Sequence, residues 1–585
     1  GSGHGTRNPP ALAVGSVKKR IFSLLLSITM LAALGTGCAQ TPKPSQSDEP
    51  TVTTKPLKAV NGTVTKAGFL AELASADGTD LSSYEGKSLP FADCEQNSAV
   101  AWAWDKWLID ADAENKIYPE SGLSREEAAN ILGRYLDYKY TALPAGCGTG
   151  APNMSNIQEA NQSGVMKCWM YGVIDTGDKP DFQPKKGVTV EEARTWCANT
   201  QTISASAIYQ GDEQVFSDKL ISSLKPEGNW SLSPYSIRMC LAMLANGADG
   251  ETKQELLNAL QITDLDAFNK EVESLLKKYK KFSDVITLDT ANSLWINQDS
   301  FNGQGAFLPE FEKEMGEKYQ AVTEEVTNKD SVERVNAWVE EKTHEKIPTI
   351  LTDGNREFAA AVVNAVYFKG AWENEFDEWA TEKSDFHNAD GLTSQVDMMH
   401  QTTSTGFYST PGIEAIKMDF QNYLLDEETF ESKGHSDADF SMYFILADDG
   451  LDVQNFLDQA EFQTEEVKIT LPKFKLEGSY SLKDTLSAMG MEKAFDPNSA
   501  DFSNMVDPSL ANLFVDSVLH KTYVAIDEKG AEAAAVTAAM VGCTSAMVER
   551  EPLIREFTAD EPFYFAIRDN ASGEILFVGQ YREGK

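Results

Sequence analysis

The side chains that commonly carry catalysis do not occur in this sequence at the spacings that catalysis requires. The chain lacks the GxSxG of a nucleophile elbow, the HExxH of a zinc peptidase and the GxxxxGK of a phosphate-binding loop. It has only six histidines, and none of its seven cysteines forms a CxxC pair. The pattern therefore indicates a protein that is not an enzyme, and it predicts neither a metal nor a cofactor.

Charge and length restrict the class of protein further. The formal net charge is -39, from 90 acidic against 51 basic side chains. Such an excess argues against a nucleic-acid partner held by phosphate contacts. It is also typical of extracellular bacterial proteins. A chain of 585 residues predicts two or more folded units.

The N-terminal residues have the pattern of an export signal. Three basic residues, Lys18 to Arg20, precede an apolar run from Ile21 to Leu34 that is too short to span a bilayer comfortably. The following LGTGC resembles the cleavage box of bacterial lipoproteins, which predicts lipidation at Cys38; ordinary secretion with cleavage nearby is the alternative. We therefore expect an N-terminal remnant and signal peptide over 1–38, a flexible linker over 39–60, and an extracellular, cell-surface or membrane-anchored location in a bacterium.

Export also permits disulfide bonds in the next part of the chain. The cysteines that could take part, in a connectivity that the sequence leaves open, are Cys94, Cys147, Cys168 and Cys197. Cys240 lies in an apolar helical run and is expected to be a small core residue.

Residues 61–200 contain a weak repeat of about sixty residues, marked by helix openings at Val64, Leu123 and Val188. Each opening has a Ser or Thr cap followed by an apolar stripe. The region resembles degenerate surface-layer homology modules, whose Thr-Arg-Ala-Glu element survives as Ser124 to Glu127. The resemblance implies a cell-wall polysaccharide partner; a spacer or a module for another partner is the alternative. The tryptophans that could form a sugar platform or a core are Trp102, Trp104, Trp107 and Trp169.

The alanine-rich stretch from Glu528 to Val541, EKGAEAAAVTAAMV, does not predict a simple helix. Alanine favours helix, but the stretch opens on Gly530 and follows the strand-like Val518 to Ile526. With a period of two residues, one face carries only small or short uncharged side chains, namely Ala531, Ala533, Ala535, Thr537, Ala539 and Val541. The pattern predicts a segment that is a loop in one state and a central strand in another.

Residues 211–585 resemble the serpin family through motifs that stand in the expected order. They include NWSLSPYSIRM from Asn229, VVNAVYFKGAWENEF from Val362 and FTADEPFYFAIRD from Phe557. The resemblance implies an α+β chain with the serpin fold, which has three β-sheets, about nine helices and an exposed reactive loop. A small, mainly helical repeat domain precedes it.

The function implied by the resemblance is suicide-substrate inhibition of serine proteases. A protease cleaves the loop and forms a covalent acyl-enzyme, and the freed hinge enters the main sheet. The hinge maps to Glu528, Gly530, Ala531, Glu532, Ala533, Ala534, Ala535 and Thr537. The reactive bond maps to Thr544–Ser545, with Cys543–Thr544 as the alternative. The small side chain before this bond favours an elastase-like or subtilisin-like serine protease, or a cysteine protease, as the target. The chain is expected to act as a monomer.

The resemblance also maps a polar cluster under the strands that must separate, formed by Ser233, Ser236, Asn364 and His520. Exchangeable hydrogen bonds there would permit opening, and Trp372, near the top of the same strand, marks where insertion begins. Arg550 is expected to attract trypsin-like enzymes. A cut there would leave the inserting strand too long to hold a protease, so the chain would be a substrate of these enzymes and not their inhibitor. The alternative function is a non-inhibitory cell-surface binding or scaffold protein with a serpin body.

Overall fold

The computed structural model describes residues 60, 62–143, 152–174, 182–203, 215–281, 286–425, 432–435, 439–507, 509, 512–531, 550 and 552–585. The described residues within 56–111 and 115–585 belong to one compact unit, which contains all the elements below. No helix in the described part is long and apolar enough to cross a membrane.

The described residues between 62 and 203 form a helical module, which we call the N-terminal module. Its α-helices are α1 (Lys66–Asp77), α2 (Ser98–Asp105), α3 (Arg125–Lys139), α4 (Glu159–Met170) and α5 (Val190–Asn199). Thr65, Ser124 and Thr189 cap the three repeated helices, the last two with full capping boxes. Isolated bridges join the three capping segments to one another, for example Thr63 to Thr189 and Ser124 to Gly187. The repeat read from the sequence thus corresponds to three equivalent helix starts.

The cysteines of this module are unpaired. Cys94, Cys168 and Cys197 are buried free thiols, and Cys147 lies outside the described residues. Burial raises the pKa of the Cys197 thiol to about 12, so this group behaves as a small apolar side chain. The disulfides that export would permit are therefore not formed among these three cysteines. Cys240 is also free and lies in the main core, as its apolar surroundings predicted.

The described residues from 215 onward contain eight α-helices, against about nine expected. They are α6 (Phe216–Leu224), α7 (Pro234–Gly247), α8 (Gly250–Leu260), α9 (Leu265–Lys281), α10 (Pro309–Tyr319), α11 (Ser331–Lys342), α12 (Val453–Gln459) and α13 (Lys483–Ala488). Helix α7 is buried on nearly every side. It lies under the central sheet, and its N-terminus is capped by Ser233, with Pro234 in the first turn.

The same residues contribute seventeen strands. They are β1 (Trp230–Leu232), β2 (Ile286–Asn297), β3 (Val322–Val326), β4 (Ala360–Ala371), β5 (Glu382–His387), β6 (Thr393–Thr410), β7 (Ile413–Asp419), β8 (Tyr423–Leu425), β9 (Ser432–His435), β10 (Phe440–Ala447), β11 (Gln463–Pro472), β12 (Phe474–Ser481), β13 (Ser517–Asp527), β14 (Gly530–Ala531), β15 (Ile554–Thr558), β16 (Phe563–Asp569) and β17 (Ile575–Tyr581). They form sheets of nine, six and two strands.

The six-stranded sheet has the order β12-β13-β14-β4-β2-β3, and its central strand β4 is buried on both faces over most of its length. One face of β4, with Val362, Val366 and Phe368, belongs to the main core. The opposite face, with Ala361, Val363 and Ala365, packs in a separate cluster with α11 side chains. Burial on both faces explains why the sequence of β4 is an almost unbroken apolar run. Two residues interrupt this run: Lys369, which is half-buried near the end of the strand, and Asn364, which is buried at its centre.

Candidate functional site

The candidate site is the seam between β4 and β13, the two strands at the middle of the six-stranded sheet. They pair in parallel from Ser517 opposite Ala361 to Tyr523 opposite Tyr367. Beyond Tyr523 the strands separate, and the two residues of β14 lie between them, antiparallel to both. The seam is therefore closed from Ser517 to Tyr523 of β13, and beyond Tyr523 it already contains one more strand.

A hydrogen-bonded polar cluster spans the closed part of this seam. Asn364 of β4 and His520 of β13 are directly opposite each other in the register. His520 Nδ1 lies 2.5 Å from Asn364 Oδ1, and Asn364 Nδ2 donates to Ser236 Oγ at 2.5 Å. The backbone N–H of Ser233 donates to His520 Nε2 at 3.1 Å. The structure thus brings together Ser233, Ser236, Asn364 and His520, which the sequence resemblance grouped.

The contacts of His520 determine its tautomer. Because Nε2 accepts a hydrogen bond from the Ser233 amide, the proton of the neutral ring is on Nδ1 and is donated to Asn364. Complete burial lowers the pKa of His520 to about 3. The ring is therefore neutral throughout the physiological range. Protonation of His520 Nε2 would abolish its role as acceptor and would point its N–H at the backbone N–H of Ser233.

Asn292 of β2 is a member of this cluster that the sequence analysis missed. Its Oδ1 accepts from Asn364 Nδ2 at 2.7 Å and from the Cys240 thiol at 3.1 Å, while its own Nδ2 is buried without a partner. A signal was present in the sequence, because Asn292 occupies a core-facing position in a strand whose neighbours on that face include Leu294 and Ile296. The cluster therefore extends across three strands and helix α7.

The start of the hinge already belongs to the sheet. Gly530 lies opposite Ala371 of β4 and Asp527 of β13, and Ala531 lies opposite Gly370 and Ile526. Gly530 has φ of 149°, and a Cβ atom there would meet the carbonyl oxygen of Gly370 at 2.1 Å. Only glycine fits this position. Ala531 is 2% exposed and faces the main core.

Buried polar contacts hold the turn that leads into the hinge. Glu528 receives hydrogen bonds from Lys473 Nζ at 2.8 Å and Thr381 Oγ1 at 2.9 Å. Burial raises the pKa of the Glu528 carboxyl, but these hydrogen bonds outweigh it and leave the pKa below its usual value. Sequence reasoning named Glu528 but neither of its partners, which lie on distant parts of the chain.

Trp372 lies at this turn rather than among the polar side chains lower in the seam. Its indole N–H donates to the carbonyl of Asp527 at 3.0 Å, and its backbone N–H donates to the carbonyl of Lys529 at 2.9 Å. The indole stacks on Phe420, with ring centroids 4.8 Å apart. Trp372 therefore fixes the turn from which β14 starts.

Other predicted site residues fall outside the described part of the chain. They are Cys38, Glu532, Ala533, Ala534, Ala535, Thr537, Cys543, Thr544 and Ser545. Their assignments stay predictions. Among the residues that are described, no group of three or more His, Cys, Asp or Glu side chains is arranged to hold a metal ion.

Comparison with known proteins agrees with this architecture. Residues 215–583 match the family model described as Serpin (serine protease inhibitor). The leukocyte elastase inhibitor of Xenopus laevis is 34% identical over 385 residues, which cover 62% of this chain and 95% of that protein. Its human counterpart is 30% identical over 385 residues, which cover 62% of this chain and 94% of the relative.

Solved structures show the same fold. The crystal structure of Serpin48 from the insect Tenebrio molitor is 26% identical in sequence and superposes with a TM-score of 0.53, covering 63% of this chain and 96% of that one. The α+β fold class predicted from the sequence is confirmed. From residue 215 to residue 583, this chain belongs to the serpin (serine protease inhibitor) family.

Proposed function

We propose that the protein is an extracellular suicide-substrate inhibitor of serine proteases with shallow, elastase-like or subtilisin-like specificity pockets. The observation that carries this proposal is the position of Gly530 and Ala531. They form the first two residues of a strand between β4 and β13, directly above a polar seam that can exchange its hydrogen bonds. After a cut beyond the hinge, the residues that follow Ala531 could extend this strand between β4 and β13 toward the polar cluster.

The register of β14 indicates what continued insertion would bring together. Extended toward β4, the antiparallel pairing sets Ala533 opposite Phe368, Ala535 opposite Val366 and Thr537 opposite Asn364. Extended toward β13, the same pairing sets Thr537 opposite His520. Residues that oppose each other point to the same side of a sheet, so the small face of the hinge would enter the main core. Thr537 would then reach the polar cluster and could replace the bond between His520 and Asn364.

The proposed chemistry needs no catalytic group from this chain. The protease serine attacks the carbonyl carbon of Thr544, and an ester forms as the peptide bond to Ser545 breaks. The new amino group of Ser545 leaves with the proton delivered by the protease's own general acid. The protease stays bound as an ester because insertion of the hinge outpaces hydrolysis. Cys543–Thr544 is the alternative bond, and a cysteine protease would form the corresponding thioester.

Incubation with an elastase tests this function. We expect a complex that survives boiling in detergent and has the mass of one protease plus one monomer without residues 545–585. Those residues should appear as a released peptide whose mass identifies the bond. An elastase with its active-site serine blocked provides the control and should give no complex. Cleavage of the loop with full recovery of protease activity would overturn the proposal.

The alternative, a non-inhibitory surface protein, is distinguished by heat stability. Loop cleavage should raise the unfolding temperature markedly if the hinge inserts, because a central strand is added to a buried sheet. A scaffold protein would keep its unfolding temperature after the same cut. Sheet insertion is favoured by the glycine and alanine that already occupy the opening.

For the location, we propose a bacterial cell surface with lipid attachment at Cys38, supported by the basic residues, apolar run and LGTGC of the sequence. Replacement of Cys38 by Ser should release the protein from the membrane fraction. Polysaccharide binding by the N-terminal module has less support. The Arg125 side chain is 13% exposed and donates to the carbonyl of Phe182, and Trp102 is buried. Sedimentation with purified cell walls tests this binding.

A further inference from the structure

The side chain of Arg550 is enclosed by the N-terminal module. Its guanidinium carbon lies 3.8 Å from the ring centroid of Trp104 and 4.2 Å from that of Trp107. Nε donates to the carbonyl of Trp104 at 3.0 Å, and Nη2 donates to the carbonyl of Ile109 at 3.3 Å. Nη1 lies 3.1 Å from Asp110 Oδ1. We call this set of four module residues the Arg550 cage.

The cage removes the guanidinium from water while it keeps its charge. The Arg550 side chain is 11% exposed. Burial lowers the pKa of Arg550 to about 10, against the opposing effect of Asp110, so the group stays protonated at neutral pH. Asp110 is itself held by Arg134, whose Nη1 lies 2.6 Å from Asp110 Oδ2. Two aromatic faces, backbone carbonyls and one fixed carboxylate thus match both the plane and the donors of this side chain.

A second set of contacts holds the chain just beyond the cage. Arg555 Nη1 donates to the carbonyls of Asp137 and Tyr138, the latter a short contact, in the last turn of α3, where carbonyls lack helical partners. Lys106 of the module lies 3.3 Å from Glu556 Oε1. The module therefore holds this part of the chain at Arg550 and again at Arg555 and Glu556. Arg550 cannot leave the cage by a rigid shift unless the contacts of Arg555 and Glu556 also break.

We propose that the N-terminal module determines protease specificity by withholding Arg550 from enzymes that cleave after arginine. A trypsin-like protease must enclose the whole guanidinium in its own pocket. The guanidinium cannot occupy the cage and the protease pocket at the same time. The rate of cleavage after Arg550 is proportional to the fraction of time that the side chain is out of the cage. Protease attack is thereby directed to the small residues that precede Arg550, at the proposed bond Thr544–Ser545. This step alone rests on the proposed function.

The experiment compares trypsin cleavage after residue 550 in full-length variants, with each cut located by mass spectrometry. Trp107→Ala combined with Asp110→Ala removes an aromatic face and the carboxylate but leaves the sequence around the bond unchanged. We expect at least a tenfold higher kcat/KM for this cut. Arg550→Lys keeps a side chain that trypsin accepts but lacks the planar fork, and it should also be cut faster. Equal rates in the three proteins would overturn the proposal.

The Arg550→Lys variant and the elastase complex separate failure of the cage from failure of the double variant to fold or of the proposed inhibition. Arg550→Lys does not alter the module, so it tests the cage even if the double variant fails to fold, which circular dichroism would reveal. Complex formation with elastase, measured on the same samples, reports the proposed inhibitory function separately. If no variant forms a complex but cleavage after residue 550 still accelerates, the inhibitory function fails and the cage stands. If the complexes form and cleavage does not accelerate, the cage fails alone.

Discussion

His520 and Asn364 lie opposite each other across the central seam of the six-stranded sheet, with Nδ1 and Oδ1 2.5 Å apart. Both side chains are almost completely buried. A buried hydrogen bond of this kind is costly to break unless a replacement partner arrives. The seam can therefore stay closed in the uncut chain and still open when an inserting strand supplies new partners.

Acid should weaken the seam through His520. Its pKa of about 3 in the folded chain lies below the value of about 6.5 expected when unfolded. Between these two values the unfolded chain binds more protons, so the stabilising effect of the neutral ring is complete above about pH 6.5 and is lost as pH falls. The loss at pH 5 relative to pH 8 amounts to about 2 kcal/mol.

Urea unfolding at pH 5, 6.5 and 8 measures this effect. Glu414 titrates with the opposite sign, because burial raises the pKa of its carboxyl to about 7. The comparison is therefore between the native chain and His520→Asn, and the variant should lose about 2 kcal/mol of pH dependence over this range. The same pH dependence in both proteins would show that His520 is not the group responsible.

Replacement of Ala533 by Arg should convert the inhibitor into a substrate. In the continued register this position lies between Phe368 and Val524, both buried in the main core, where an unpaired guanidinium is strongly disfavoured. Glu532→Arg is the matched control, since its neighbours in the same register, Lys369 and Ala525, are only half-buried. Titration of elastase should give little complex with Ala533→Arg and near-native inhibition with Glu532→Arg; equal loss in both would contradict the register.

Replacement of Gly530 by Ala should displace the two-residue strand β14. The added Cβ would meet the carbonyl oxygen of Gly370, and φ of 149° is unfavourable for alanine. We expect a loss of about 1–3 kcal/mol in the free energy of unfolding. Gly316→Ala is the control, because a Cβ there meets no atom within 4 Å and the residue lies in helix α10. Denaturant midpoints of the two variants make the comparison, and a neutral Gly530→Ala would exclude the close approach.

Replacement of Thr544 by Arg should redirect inhibition toward trypsin. A protease with a deep acidic pocket binds arginine and not threonine at the bond it cuts, so the second-order rate constant should rise at least tenfold for trypsin and fall for elastase. The measurement is the rate of covalent complex formation with each enzyme. Thr558→Arg, in β15 beyond the reactive region, serves as the control. Unchanged preference in Thr544→Arg would mean that the reactive bond lies elsewhere.

The fold class and the family could be predicted from the sequence alone, and so could the small face of the hinge, which stays a prediction beyond Ala531. These follow from local order, since alternation, glycine and proline positions and motif succession are visible along the chain. The grouping of Ser233, Ser236, Asn364 and His520 came from the resemblance to the serpin family, and the structure brings the four residues within hydrogen-bonding distance.

The residues that complete these sites could be identified only from the packing of the folded chain. Asn292 enters the cluster from a neighbouring strand, and Trp372 fixes the hinge turn. Arg550, which the sequence offers as an exposed target for trypsin, instead lies against Trp104, a residue 446 positions away. Periodicity reports which face of an element is apolar, but it carries no information about which distant polar group that face will meet. Those pairings depend on how sheets and helices pack, and they determine whether the seam can open and whether Arg550 can be reached.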